Sequence, residues 1–203
     1  GRRPRPRQKR RGSVSAMLVS RSTDSGQTWS NPATLIRDGS LFFNDKNTIT
    51  ADPTDPNYVY AVWNRLAASG GGPAFFARTT DGGNTWEGAR SIFDHGPLSQ
   101  TIGNLIAVLP NGTLINLFTQ LDEGAGGQIT ATLNVLRSND KGGSWSAPVR
   151  VSDLLSIGAR DPETGTQIRD GAGLAQIAAA PNGHLLVIWQ DARFSGGARD
   201  GIA

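Results

Sequence analysis

An all-β chain made of repeated four-stranded units, the pattern of a β-propeller, is what this sequence predicts. Three observations predict it: a nine-residue segment that recurs at near-constant spacing, a second series of apolar runs and turns lying between its copies, and a composition rich in turn formers. Of 203 residues, 26 are Gly and 11 are Pro, which suits many short strands joined by tight turns and argues against a helical bundle.

The recurring segment reads Arg-[Ser/Thr]-x-Asp-x-Gly-x-[Thr/Ser]-Trp. It stands at Arg21–Trp29, Arg78–Trp86 and Arg137–Trp145, so that Asp24, Asp81 and Asp140 are 57 and 59 residues apart. The chemistry of the segment explains its recurrence. The carboxylate of Asp24, Asp81 or Asp140 can accept backbone N–H groups across the turn, and Gly26, Gly83 or Gly142 takes positive φ without steric cost. Trp29, Trp86 or Trp145 is expected to fold back over the hairpin and bury its indole. Three equivalent copies on different units cannot converge on one ligand, so these residues are expected to be structural.

Between the copies each period holds the same order of elements. A first strand (Thr48–Ala51, Leu105–Leu109, Ala175–Ala179) leads to a turn (Asp55-Pro-Asn57, Pro110-Asn-Gly112, Pro181-Asn-Gly183). A second strand follows (Tyr58–Trp63, Thr113–Phe118, His184–Trp189), and the Asn-Gly pairs predict two-residue hairpins with positive φ at both central positions. A third strand (Ala74–Arg78, Leu133–Arg137) enters the repeated segment, and a fourth (Arg90–Phe93, Val149–Val151) leaves it. Four antiparallel strands per period describe a propeller blade. The expected organisation is a disordered basic arm over residues 1–13, a partial blade over 14–37, blades over 45–94 and 103–151, and a partial blade over 173–203.

Charge distribution qualifies the net +3. Residues 1–12 hold seven of the 20 Lys and Arg and no acid, leaving 13 basic against 17 acidic residues, a net of −4, for the rest. The arm, interrupted by Pro and without aromatics for base stacking, reads as a solvated linker, and no nucleic acid is expected as a partner. Zero Cys excludes disulfides, thiolate chemistry and Cys-based zinc sites. No apolar run approaches the ~20 residues of a membrane span, and no signal peptide stands at the front. His95 and His184 are isolated in sequence and read as surface or strand residues, so no metal or cofactor is expected. The Asn111-Gly-Thr113 sequon reads first as a turn, and no helix-forming segment follows Glu123–Gly127, which excludes a phosphate loop.

Strand alternation puts the repeated segments and the first-to-second-strand turns on one rim. The second-to-third and fourth-to-first connections share the other, which propellers generally use for ligands. On that rim the sequence places Asn44, Asp45, Lys46, Asn47, Asn64 and Arg65, then Asn104, Gln120, Asp122 and Glu123. Arg160, Asp161, Glu163, Arg169, Asp170, Gln190, Asp191 and Arg193 follow. Asp45-Lys46 and Asp191-x-Arg193 stand out because they flank strand ends near the channel. The 152–172 segment, which lengthens one period, reads as a lid or specificity loop.

The recurring segment resembles the Asp box, or bacterial neuraminidase repeat. From residue 14 onward the chain is similar to the Asp-box sialidase-like superfamily, and Phe43–Lys46, Asp52–Trp63 and Trp189–Phe194 resemble bacterial exo-α-sialidase and related repeat proteins. The resemblance implies a six-bladed propeller in the parent, of which three to four blades are present here, and a secreted, extracellular protein. It also implies further blades, or a second copy, covering the open sheet faces.

Two functions follow from it. One is a fragment of a glycoside hydrolase acting on terminal sialic acids, inactive alone, with Asp45 and Asp191 as catalytic candidates and Lys46, Arg65, Arg169 and Arg193 as substrate contacts. The other is a non-catalytic propeller that binds a glycan, glycoprotein or protein on the same rim. Sialidase chemistry needs an arginine cluster, an Asp and a Tyr nucleophile activated by Glu. The only tyrosines, Tyr58 and Tyr60, fall at the box end of a second strand, and the Phe-Arg-Ile-Pro segment of many sialidases is absent.

Overall fold

The computed structural model describes residues 14–202; the basic arm expected over residues 1–13 lies outside them. Among the described residues there is no α-helix. The strands are β1 (Ser15–Val19), β2 (Ala33–Asp38), β3 (Phe42–Ala51), β4 (Val59–Ala67), β5 (Ala74–Thr79), β6 (Arg90–Phe93), β7 (Ser99–Val108) and β8 (Leu114–Glu123). They continue with β9 (Ile129–Ser138), β10 (Val149–Asp153), β11 (Ala159–Arg160), β12 (Gln167–Ile168), β13 (Gln176–Ala179), β14 (Leu185–Ile188), β15 (Gln190–Asp191) and β16 (Gly201–Ile202).

β3–β6 and β7–β10 each form a four-stranded antiparallel sheet in sequence order. β1 and β2 pair as the last two strands of the preceding unit, and β13 and β14 as the first two of the following one. These are blades one (β1–β2), two (β3–β6), three (β7–β10) and the start of a fourth (β13–β14) of a β-propeller, with β15 and β16 pairing in a separate two-stranded sheet after it.

The inner strands are longer than their apolar runs indicate. β3 and β7 run ten residues each because a bulge carries the ladder past polar residues: pairing steps from Asp45–Asn64 to Thr48–Val62, and from Ile102–Thr119 to Leu105–Leu117. At the bulges Lys46 and Gly103 take φ of 54° and 66°. Asn44–Asn47, Asn64, Arg65, Asn104, Gln120, Asp122 and Glu123, read from the sequence as loop residues, are therefore strand residues.

Two other local readings are corrected. The Pro-Asn-Gly turns are not two-residue hairpins: Gly112 N–H donates to Leu109 O at 2.8 Å and Leu109 N–H to Thr113 O at 2.9 Å, and only Gly112 has positive φ. Proline holds its own φ negative, so the chain makes a turn followed by a left-handed glycine, as it does again at Gly183. The 152–172 segment is not one open loop but contains the β11–β12 hairpin, whose turn is tied by the Asp161 carboxylate accepting the Glu163 and Thr164 N–H groups.

The core sits in the seams between blades. Met17, Ala61, Trp63 and Ala77 fill the first seam, Tyr60, Val62, Phe76, Ile106 and Leu114 the second, and Leu117, Leu133, Leu154 and Ala175 the third. At about 1.5–3 kcal/mol for each large side chain fully buried, these seams are the main favourable term in blade association. Hydroxyls from adjacent strands stitch them further: Thr48 and Thr50 donate to Asn104 O and Ile106 O, and Thr119 donates to Gly173 O.

The three boxes share one hydrogen-bond pattern. Asp24, Asp81 and Asp140 each accept the N–H of the residue four positions on at 2.9 Å, together with its hydroxyl. Gly26, Gly83 and Gly142 all stand at φ +86°. Arg21 reaches the Gly82 carbonyl at 3.0 Å and Arg78 the Lys141 carbonyl at 2.7 Å, so these two arginines clasp the box of the next blade.

Two of the three tryptophans, Trp86 and Trp145, pack across the same seams, whereas Trp29 turns back on its own box and donates its indole N–H to Gly26 O at 3.2 Å. Trp86 joins the first seam, and Trp145 meets Phe76 edge-on at 5.5 Å in the second. Gly142 is held to glycine twice over, because a Cβ there would lie 2.5 Å from Phe76 Cζ. Trp29 is the exception to the expected burial: it is 65% exposed, since no sheet precedes blade one among the described residues.

Candidate functional site

On the rim opposite the boxes, each seam is closed where the fourth strand of one blade meets the second strand of the next. The first seam has an ion pair. Arg65, on β4, forks the Asp38 carboxylate at the end of β2 with bonds of 2.8 and 2.6 Å, while its guanidinium lies 3.5 Å from the Phe42 ring centre. Asn44 donates to Asp38 at 2.9 Å and accepts the Trp63 indole N–H at 2.8 Å. The Arg65 hydrogen bonds hold Asp38 below the usual carboxylate range against its burial. Beside the pair, Arg65, Phe75, Pro73, Asp94, Gly96 and Pro97 line part of a cleft of about 370 Å³.

The third seam repeats this with the charges redistributed. Arg193 donates to both Asp191 oxygens at 2.8 and 2.9 Å and also reaches Ser152 Oγ and Asp153 O at the end of β10. Asp191 further accepts the Trp189 indole N–H and the Leu155 N–H. Those donors, Arg193 first, hold its carboxyl far below the usual range, so it has no proton to give as a general acid near neutrality.

The second seam has no arginine. The Gln120 amide nitrogen lies 3.0 Å from His95 Nδ1 and 2.9 Å from both Asp122 oxygens. Burial pulls Asp122 upward, but hydrogen bonds from Ser99 and Gln120 and the imidazole of His95 beside it leave it lowered. The imidazole stacks on Phe93 at 6.2 Å with the rings 9° apart, and Phe93 rests on Phe118 at 5.0 Å. His95 is thus not isolated: the fold brings it to Gln120 and Asp122 across the seam.

The structure separates the residues that sequence spacing groups together. Arg65, Asp191 and Arg193 are bound into blade junctions, whereas Asp45 and Lys46 make no side-chain hydrogen bond or ion pair among the described residues. Arg169 is exposed in the segment after β12. Asp38 and His95 were missed, although a signal existed: an Asp closes each fourth strand, at Asp38, Asp94 and Asp153, with nearly the period of the boxes. Tyr60 is buried at the box end, where its hydroxyl donates to Asp52 at 2.6 Å. Among the described residues no group of three or more His, Cys, Asp or Glu could hold a metal ion, and no helix is long and apolar enough to cross a membrane.

No protein-family model matches the sequence. Among solved structures, the chain is similar to an α-L-arabinanase from Penicillium chrysogenum complexed with arabinobiose, with a TM-score of 0.60 and 14% identity over 88% of this chain and 50% of that one. It is also similar to a protein of unknown function from Dyadobacter fermentans (TM-score 0.51, 16% identity, 80% and 50% covered) and to a Hadza microbial sialidase (0.51, 17%, 85% and 46%). The chain spans about half the length of these structures. At such identities the likeness is one of fold, and it places this chain among β-propellers.

Proposed function

We propose that this chain is part of a carbohydrate-active propeller resembling the exo-α-sialidases, that it binds a glycan on the rim opposite the boxes, and that it is not by itself a sialidase. The observation that carries the reading is how the polar groups divide between the rims. The box rim is occupied by turn and clasp chemistry, while Asp45, Lys46, His95 and Asp122 face the other. The fold likeness to an arabinanase held with arabinobiose and to a sialidase supports a sugar as ligand.

The lack of catalysis rests on two features. Tyr60 and its partner Asp52 lie at the wrong end of the strand, and Arg65 and Arg193 are already forked by carboxylates. The open edges at β1 and β14, with Leu18, Leu186 and Ile188 exposed, are in the same reading covered by further blades or a second copy.

The test is a pair of measurements on the chain. A fluorogenic sialoside should be turned over no faster than in buffer, and immobilised glycans should be retained, with retention weakened roughly tenfold by Asp45→Asn combined with Lys46→Ala. Hydrolysis would overturn the inactive half of the proposal, and failure to retain any glycan would overturn the carbohydrate half.

A further inference from the structure

The three seams on the rim opposite the boxes occupy equivalent positions, and two of them are sealed by an arginine fork. Asp38 and Arg65 satisfy one another in the first, and Asp191 and Arg193 in the third, where Arg193 also caps the end of β10. The middle seam departs from the pattern. Gln120, only 7% exposed, spends its amide hydrogens on His95 Nδ1 and the Asp122 carboxylate. In the tautomer whose Nδ1 accepts this amide N–H at 3.0 Å, rather than donating to Asp122 Oδ1 at the longer 3.4 Å, the proton of the neutral ring stands on Nε2 as a free donor. The His95 side chain is 62% exposed and that of Asp122 34%, so donor and acceptor both face outward. Phe93 stacked against the imidazole and Phe118 behind Phe93 hold this arrangement in place.

We infer that the seam between blades two and three is a binding site for a neutral sugar, with His95 Nε2–H and the Asp122 carboxylate contacting ring hydroxyls. A sugar hydroxyl both donates and accepts, so a fixed donor beside a fixed acceptor suits adjacent hydroxyls, and a flat imidazole suits the C–H face of a pyranose or furanose. The loop that carries His95 supplies Asp94, Gly96 and Pro97 to the neighbouring cleft of about 370 Å³, which gives a second ring room beside the first. An acidic sugar is disfavoured for a physical reason. Its carboxylate would meet the negative charge of Asp122, and the guanidinium groups of the flanking seams are already engaged.

This inference rests on the carbohydrate reading above, and the experiment separates the two. The chain is titrated calorimetrically with arabinobiose, lactose and 3′-sialyllactose, then the titrations are repeated with His95→Ala, Asp122→Asn and, as a control on the box rim, His184→Ala. Far-UV circular dichroism and thermal melting establish that each variant is folded. A neutral disaccharide should bind at least roughly tenfold more tightly than sialyllactose, and both seam variants should weaken it by roughly tenfold while His184→Ala does not. Sialyllactose binding as tightly as lactose or more so would overturn the neutral-sugar inference and leave the carbohydrate reading standing. Neutral binding that survives both His95→Ala and Asp122→Asn would overturn the assigned seam. No binding of any of the three sugars would overturn the broader reading as well.

Discussion

Lys46 occupies a left-handed position, φ 54°, that the equivalent bulge in the next blade fills with Gly103. A side chain there costs backbone energy that glycine avoids, and strain of this kind is kept where the side chain is used. Lys46→Gly should therefore raise stability by about 0.5–1 kcal/mol, measured by urea unfolding, while weakening glycan retention. Asp52 is a buried anchor of the opposite kind, accepting from Tyr60 Oη at 2.6 Å and Lys141 Nζ at 2.7 Å across a blade junction. Asp52→Asn removes the charge that both donors meet and should cost about 2–3 kcal/mol in the same assay. At this scale the sequence was only partly legible. The box residues announced their chemistry through repetition, but neither Asp38 and Arg65, 27 residues apart, nor His95 and Asp122, also 27 apart, form a local pattern that exposes their pairing.

At the scale of elements, the strands in the interior of each blade could be read from apolar runs, and β6 was placed as Arg90–Phe93 from the sequence alone. Their polar rim ends could not, because a strand that bulges and then presents Asn, Asp and Gln toward a seam loses the alternation by which a strand is recognised. The box was legible as a turn but not as a clasp. Its tryptophan and arginine act between blades, so their energetic weight depends on whether a neighbouring sheet stands beside them. Trp145→Ala, which strips the second seam of its contact with Phe76, should lower stability by about 2–4 kcal/mol, whereas Trp29→Ala should change it by no more than about 0.5 kcal/mol. Arg78→Ala should cost about 1–2 kcal/mol through the lost bonds to the Lys141 carbonyl and Glu87. Equal losses in the two tryptophan variants would contradict packing across seams and restore the idea of packing over each hairpin.

For the whole molecule, the pH dependence of folding follows from carboxylates that serve as acceptors. Hydrogen bonds from Thr28 and Thr85 lower Asp24 and Asp81 to about 2, and Asp52, despite the opposing effect of burial, is also lowered to about 2 by Lys141, Tyr60 and Thr54. Because the folded values lie below the ordinary 3.8, the unfolded chain takes up protons first. The stability these groups contribute is complete above about pH 4 and is lost as pH falls toward 2. Urea midpoints should be level from neutral pH down to about 4 and then fall steeply; a decline already complete by pH 5 would contradict this assignment. The amino-acid sequence by itself determined the repeating blade, the composition of its boxes and the rim on which polar residues gather, because hairpins and strand alternation are set by neighbours in the chain. Only the tertiary structure decided which of those residues seal a seam and which face outward. A guanidinium forked by a carboxylate and one open to a ligand have the same sequence signature, and for Arg65 the difference lies in Asp38, supplied by the adjacent blade.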